Sequence, residues 1–315
     1  MGYLAAQETD SYQNLAEHWL LQAAQQDHSS AQFALAKLYN EQGKPKDAVN
    51  WFTKAGEDGH LAAQLTLSDM YFRGDGVGKS PESSVYWSKI AAKQGSPIAQ
   101  HNLAVAYATG IGVPRNREAA QKWLRLAAEQ KYPRSLALLG AQYMTGDGVE
   151  QDDAKAAEFL QIAASAGAST GQAWLAVLYS EGRGVEQSDQ QAFRWAMSAA
   201  QQGSPRGQEL VGTFYAKGQG VEQDHERAVW WFRMAAQAGH SKAQLRLGLA
   251  YVLGEGVATN HEFAFMWLDN ALLLGESEGK EIRASIARQL STVQMQRASE
   301  FSKQCRLSDY QDCPQ

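Results

Sequence analysis

Cysteine is nearly absent from this chain: there are two in 315 residues, Cys305 and Cys313, both in the last eleven positions. A disulfide framework and a cysteine-based zinc site are therefore excluded from everything before Cys305. No run approaches the ~18 consecutive apolar residues that a membrane-spanning helix needs. No long basic run occurs either, and the formal net charge is −5. A phosphate-binding surface needs clustered lysine and arginine, so nucleic acid is not expected as a partner. No charged-then-apolar leader opens the chain. Met1-Gly2 fits a native start and equally a start that follows a removed export signal.

What the chain does have is periodicity, whose detection has to precede any other reading of a fold. Tyr71, Tyr107, Tyr143, Tyr179, Tyr215 and Tyr251 stand 36 residues apart, and so do Trp51, Trp87, Trp123, Phe159, Trp195, Trp231 and Trp267. A Gly-x-Gly-Val motif starting at Gly74 recurs from Gly110, Gly146, Gly182, Gly218 and Gly254. A fourth series is Gly59, Gly95, Gly167, Gly203, Gly239 and Gly275, with Lys131 as its exception. Four series with one period define six regular units over 60–275. A shorter unit, 28–59, precedes them without the Gly-x-Gly-Val insertion. Residues 1–27 read as a degenerate N-terminal helical cap, and 276–315 as a C-terminal capping helix and tail.

Each unit reads as two helices. In the unit at 60, helix A carries Ala63, Leu67, Ser68 and Tyr71 on one face, the spacing of a helical stripe. Gly74 ends it, because glycine enters the left-handed region at least cost. Helix B opens at Ser80, Asn116, Asp152, Ser188, Asp224 and Asn260 in turn. All six are residue types whose side-chain oxygen caps a free helical N–H. Helix B is expected to bury Ala120, Trp123, Ala127 and their equivalents. One such pair cannot bury both its apolar faces alone, whereas stacked neighbours can. The expected fold class is all-α, a solenoid of about eight helix pairs.

The unit Ala-x3-Leu-small-x2-Tyr-x2-Gly-x-Gly-Val, followed by a capped Ala-x2-Trp-x3-Ala-Ala-x2-Gly, resembles the Sel-one-like repeat, a relative of the tetratricopeptide repeat with a longer A–B loop. The resemblance covers residues 28–275, and the short unit is nearer the tetratricopeptide form. It implies a right-handed α/α superhelix with helix A lining a concave face. It also implies adaptor or scaffold roles, often in bacteria and often in or outside the cell envelope. The family has no shared catalytic residues or cofactor, so no enzymatic activity is expected. The expected localisation is periplasmic or secreted, with cytoplasmic as the alternative.

The residues that could carry chemistry each have a plainer reading. The Gly-x-Gly turns follow a helix, whereas a nucleotide-binding turn follows a strand. His28, His60 and His240 share one repeat position at the entry to helix A and read as turn residues. Acidic Glu150-Gln151-Asp152-Asp153 lacks the alternating ligand spacing of a calcium loop and reads as a helix cap. Cys305 and Cys313 would close a small disulfide loop in an oxidising compartment and remain two thiols in the cytosol.

Fixing the helical phase on Tyr71 places the concave-face columns of helix A. They include Phe33 in the short unit, then Leu65, Asp69, Phe72 and Arg73, then His101, Arg134 and Met144. Arg206, Glu209, Lys217, Lys242 and Leu245 follow. These positions vary from unit to unit while the packing positions do not. The first end is apolar and aromatic, and the later half is charged. A partner peptide or protein is the expected ligand, with apolar anchors at the first end and acidic groups at the second. A cell-wall polymer is the alternative. Oligomeric state is not readable from the sequence.

Overall fold

The computed structural model describes residues 15–314, and among these all regular structure is helical. The chain divides into two compact units, 1–135 and 136–315, described separately below. In the first unit, residues 15–24 are helical. They are followed by α1 (Ser29–Glu41), α2 (Pro45–Glu57), α3 (Leu61–Arg73), α4 (Pro81–Lys93), α5 (Pro97–Thr109) and α6 (Arg117–Glu129). Helix α7 (Pro133–Thr145) opens in the first unit and closes in the second. The second unit continues with α8 (Asp153–Ser165), α9 (Ser169–Glu181), α10 (Asp189–Gln201), α11 (Pro205–Lys217), α12 (His225–Gln237), α13 (Ser241–Leu253) and α14 (His261–Leu273). A 3₁₀ turn (Ser277–Gly279), α15 (Lys280–Gln289) and α16 (Thr292–Leu307) complete it. Of the N-terminal cap expected over 1–27, residues 1–14 lie outside the described residues.

The punctuation expected from the sequence is present bond by bond. The side chains of Ser80, Asn116, Asp152, Ser188, Asp224 and Asn260 each accept from the backbone N–H three residues on. Their own N–H groups donate to the carbonyls of Tyr71, Tyr107, Tyr143, Tyr179, Tyr215 and Tyr251 at 2.9–3.0 Å, closing each A–B loop. The two glycines of the loop differ in purpose. Gly218 is the left-handed cap of α11. Gly220 is also left-handed, at φ +69°, but it lies against the first turn of α10, and a Cβ there would fall on the Asp189 carbonyl. Gly184 and Gly256 meet Asp153 and His225 in the same way. At the exception in the fourth glycine series, Lys131 adopts the same left-handed conformation, φ +58°.

The core lies one residue beyond the tryptophan series. Trp87 and Trp267 are buried, but Trp51, Trp123, Phe159, Trp195 and Trp231 are only half-buried. The expectation that helix B buries an aromatic in every unit is thus corrected. The next column, Phe52, Ser88, Leu124, Leu160, Ala196, Phe232 and Leu268, is buried throughout. Its size is matched by the opposing residue of helix A. Gly140 faces Leu160, Gly212 faces Phe232 and Gly248 faces Leu268, where a Cβ would come within 2.6–2.8 Å of the larger side chain. Where the B residue is small, serine suffices opposite: Ser68 bonds Ser88 at 2.7 Å. Close packing of reciprocal volumes keeps the helix spacing regular although the residues change.

A glutamine after the small residue of helix A ties consecutive pairs within each unit. Gln64 Nε2 donates to the Gly56 carbonyl at 2.9 Å, and Gln172 and Gln244 donate to Ala164 and Ala236 at 3.3 and 3.2 Å. Each of these carbonyls also accepts from the glycine that ends the B helix, Gly59, Gly167 or Gly239, so the buried amide adds a second bond that links the two pairs.

The C-terminal segment, expected as one helix, is two. Ser291 caps α16 with a reciprocal capping box to Gln294, and this breaks the chain after α15. Asp269 of α14 gathers both helices: it accepts from Arg283 at 2.6 Å, from Ser302 at 2.6 Å and from Arg306 at 3.4 Å. Cys305 and Cys313 are joined, with their Cα atoms 4.5 Å apart. The loop they close lays Tyr310 against Gly239, and Gln311 donates to the Gln237 carbonyl at 2.9 Å.

Candidate functional site

Each unit holds a crevice between successive A helices, floored by the B helix that separates them. In the first unit it lies between α3 and α5, with a volume of about 290 Å³. In the second it lies between α11 and α13, at about 250 Å³. The two are the same place in the repeat: Asp69, Phe72, Val105 and Ile111 of the first correspond to Thr213, Ala216, Leu249 and Glu255 of the second, 144 residues or four periods later. Their chemistry has diverged. Ser68, Ser84 and Ser88 form the floor of the first, all buried and joined by bonds of 3.2 and 2.7 Å at Ser68. Phe72, 50% exposed, and the exposed Val105 and Ile111 form an apolar rim. The floor of the second is filled by Phe232, and its walls carry Lys217, His225, Arg246 and Glu255.

His101 borders the first crevice. Its Nδ1 lies 2.9 Å from the Ser135 hydroxyl, and its ring meets Tyr132 at 5.4 Å. Ser135 is fully buried, so this pair positions the imidazole and offers no accessible nucleophile. Burial, and secondarily the positive charge of Arg134, pulls the His101 pKa down from 6.5 to about 4. The unfolded chain therefore binds the extra proton first as pH falls. The stability that neutral His101 contributes is complete above pH 6.5 and is lost between 6.5 and about 4. Discounted for its partial exposure, this amounts to about 1–3 kcal/mol. Urea midpoints at pH 7 and pH 4.5 should differ less in His101→Asn than in the parent. An equal difference in both proteins would show that His101 does not titrate in this way.

Arg206, at the first turn of α11, stacks over the Trp174 ring of α9, its guanidinium carbon 3.6 Å from the ring centroid. Burial lowers its pKa, opposed by the charges of Glu209 and Glu181. Its Nε is enclosed with no acceptor. Glu209, three residues on and 8% exposed, has turned to its own helix, where Thr213 donates to it at 3.0 Å. Glu181 pairs with Arg183 at 3.3 Å. His240 caps α13 through Nδ1, which accepts the Ala243 N–H at 3.3 Å. Burial first, and Arg206 and Lys242 after it, lower its pKa against the pull of Glu209. That agrees with the neutral ring a cap requires.

The helix-A residues singled out from the sequence fall into three groups. Phe72, Arg134, Lys217 and Lys242 are exposed, and so are Asp69 and Arg73, which pair with each other at 2.9 Å. Phe33, Leu65, His101 and Arg206 are half-buried; Phe33 stacks on His60, with ring centroids 4.6 Å apart. Met144, Leu245 and Glu209 are buried, which corrects their placement on a free face. Met144 belongs to the core around Leu160 and Leu178, and Leu245 is covered by the turn at Gly279. Sequence reasoning missed Trp174 and the serine floor. Trp174 occupies a column that otherwise holds Thr66, Asn102, Leu138, Leu210 and Arg246, so no periodic signal marks it.

The acidic turn at 150–153 caps a helix: Asp152 accepts from the Lys155 N–H at 3.0 Å, and Asp153 pairs with Arg183 at 2.7 Å. No group of three metal-ligating side chains occurs among the described residues. Also among them, no helix is long and apolar enough to cross a membrane.

The Sel1 repeat pattern matches residues 10–28, 29–60, 61–96, 97–132, 133–167, 169–204, 205–240 and 241–276. The chain belongs to the Sel1 repeat family. The eight Sel1 repeats account for every helix pair before α15. A Sel1 repeat protein from Oxalobacter formigenes is 33% identical, with a TM-score of 0.64 over 76% of this chain and 98% of its own. A protective antigen of uropathogenic Escherichia coli displaying an SLR fold is 24% identical, with a TM-score of 0.38 over 94% of this chain and 96% of its own. An immunity protein from Pseudomonas aeruginosa is 20% identical, with a TM-score of 0.46 over 69% of this chain and 82% of its own. Among curated proteins none matches the sequence.

Proposed function

We propose that this Sel1 repeat chain is a non-enzymatic adaptor that holds a protein partner on its helix-A faces. Sel1 repeats commonly mediate protein–protein interaction. The observation that carries the reading for this chain is the pair of crevices. They occupy one repeat position in two units, yet one is apolar over a hydroxyl floor and the other is lined by charge. Packing columns change only in matched volumes, whereas the crevice walls differ in polarity and sign. The crevices are thus released from packing duty while keeping their place in the repeat, and they offer two chemically different recognition surfaces. A partner with an apolar anchor fits the first crevice, where Phe72 offers half its surface.

The test begins with a partner recovered by affinity capture with the intact chain. A Phe72→Ala, Lys217→Glu variant should bind that partner at least about tenfold more weakly. Trp230→Ala, which alters an exposed aromatic on a B helix, should leave the affinity unchanged. Full affinity in the first variant, or an equal loss in both, would remove the helix-A faces from the interaction.

A further inference from the structure

Four cations of the second unit, Arg206 and Lys217 on α11 and Lys242 and Arg246 on α13, enter no ion pair among the described residues. Several other arginines of the molecule are paired. Arg73 and Arg183 are each held by a carboxylate, and Arg283 and Arg306 share Asp269. The chain as a whole is acidic, so the unpaired cations do not reflect a shortage of carboxylates. Arg206 is the extreme case. Its guanidinium is partly withdrawn from water and held on the Trp174 face at 3.6 Å, which fixes its plane. The acid best placed to neutralise it, Glu209, is committed to Thr213. A flat, desolvated guanidinium without a counter-ion is preorganised for a planar, bidentate anion, and desolvation strengthens the charge-assisted bonds it would make.

We infer that Arg206, laid on Trp174, is the seat for a carboxylate of an acidic segment of the partner protein, with Lys242 as its neighbouring cation. This rests on the adaptor reading and names the partner's chemistry at the second-unit face. A peptide carboxylate suits the site better than a nucleic-acid backbone. Glu209 and Glu181 lie close enough to influence Arg206 and would oppose a row of phosphates, whereas one carboxylate needs only the guanidinium edge.

The full chain is titrated at low ionic strength with fluorescein-labelled hexaglutamate, and with hexaglutamine as the control. Hexaglutamate should bind and hexaglutamine should not. The Arg206 Nε–H resonance should shift on binding. Arg206→Gln should weaken binding at least about tenfold, Arg206→Lys by less, and Trp174→Phe by less than Trp174→Ala. Arg125→Gln, on an exposed stretch of α6, should have no effect. Thermal unfolding of each variant separates loss of binding from loss of fold. Unchanged hexaglutamate binding by folded Arg206→Gln, an equal loss in Arg125→Gln, or preferential displacement by oligothymidylate would each overturn the assignment. The adaptor reading would survive those outcomes, because it is tested with the captured partner and at Phe72 and Lys217.

Discussion

Gly220→Ala should destabilise the chain by more than about 3 kcal/mol, whereas Gly218→Ala, two residues away in the same loop, should cost only about 1–2 kcal/mol. Both glycines are left-handed, so alanine pays a similar backbone strain at either. The difference lies in what surrounds them. The nearest atom to a Cβ on Gly218 is the Gln223 Cβ at 3.2 Å, on an exposed loop residue whose backbone need give only a few tenths of an ångström. A Cβ on Gly220 would overlap the Asp189 carbonyl, which belongs to the first turn of α10. That backbone cannot retreat without moving the helix or displacing the loop from it. Chemical denaturation of the two variants checks this. Equal losses would mean that the loop does not bear on the preceding repeat.

Trp267→Ala should cost about 3–5 kcal/mol, the range for a large aromatic removed from a sealed core. Trp267 is 2% exposed, and α15 and α16 pack on the helix that carries it. Trp123, identical in repeat position, is half-buried. Trp123→Ala should cost less, about 2 kcal/mol, because part of the ring is already in water and less apolar area is lost. Unfolding free energies for the two variants should therefore differ by more than 1 kcal/mol, about a fivefold change in the equilibrium constant. Equal values would mean that the terminal helices do not seal the last repeat.

The contrast between those two tryptophans shows how far the sequence could be read. The helix boundaries of the six regular units were legible, because glycines and cap residues act locally: a left-handed φ or an N-cap bond needs no knowledge of distant contacts. The tryptophan series marked the period but not the depth of burial. The deeply buried column beside it holds phenylalanine, serine, leucine and alanine in turn, so it repeats in volume balance and not in identity. The glutamine staples recur in the sequence but signal nothing until the facing carbonyl is known. Among the candidate face residues, Phe72, Lys217 and Lys242 are exposed. Phase alone could not show that Leu245 is covered by a turn 34 residues later.

By itself the sequence determined the period, the helix pairs, their caps and the class of fold, since each depends on interactions between residues close in the chain. The tertiary structure alone decided why the second loop glycine must be glycine, which aromatic rings are sealed from water, and that Arg206 rests on Trp174 without a counter-ion. Those outcomes depend on which surfaces meet across 30 or more residues, and meeting is a property of shape and volume that local pattern does not carry.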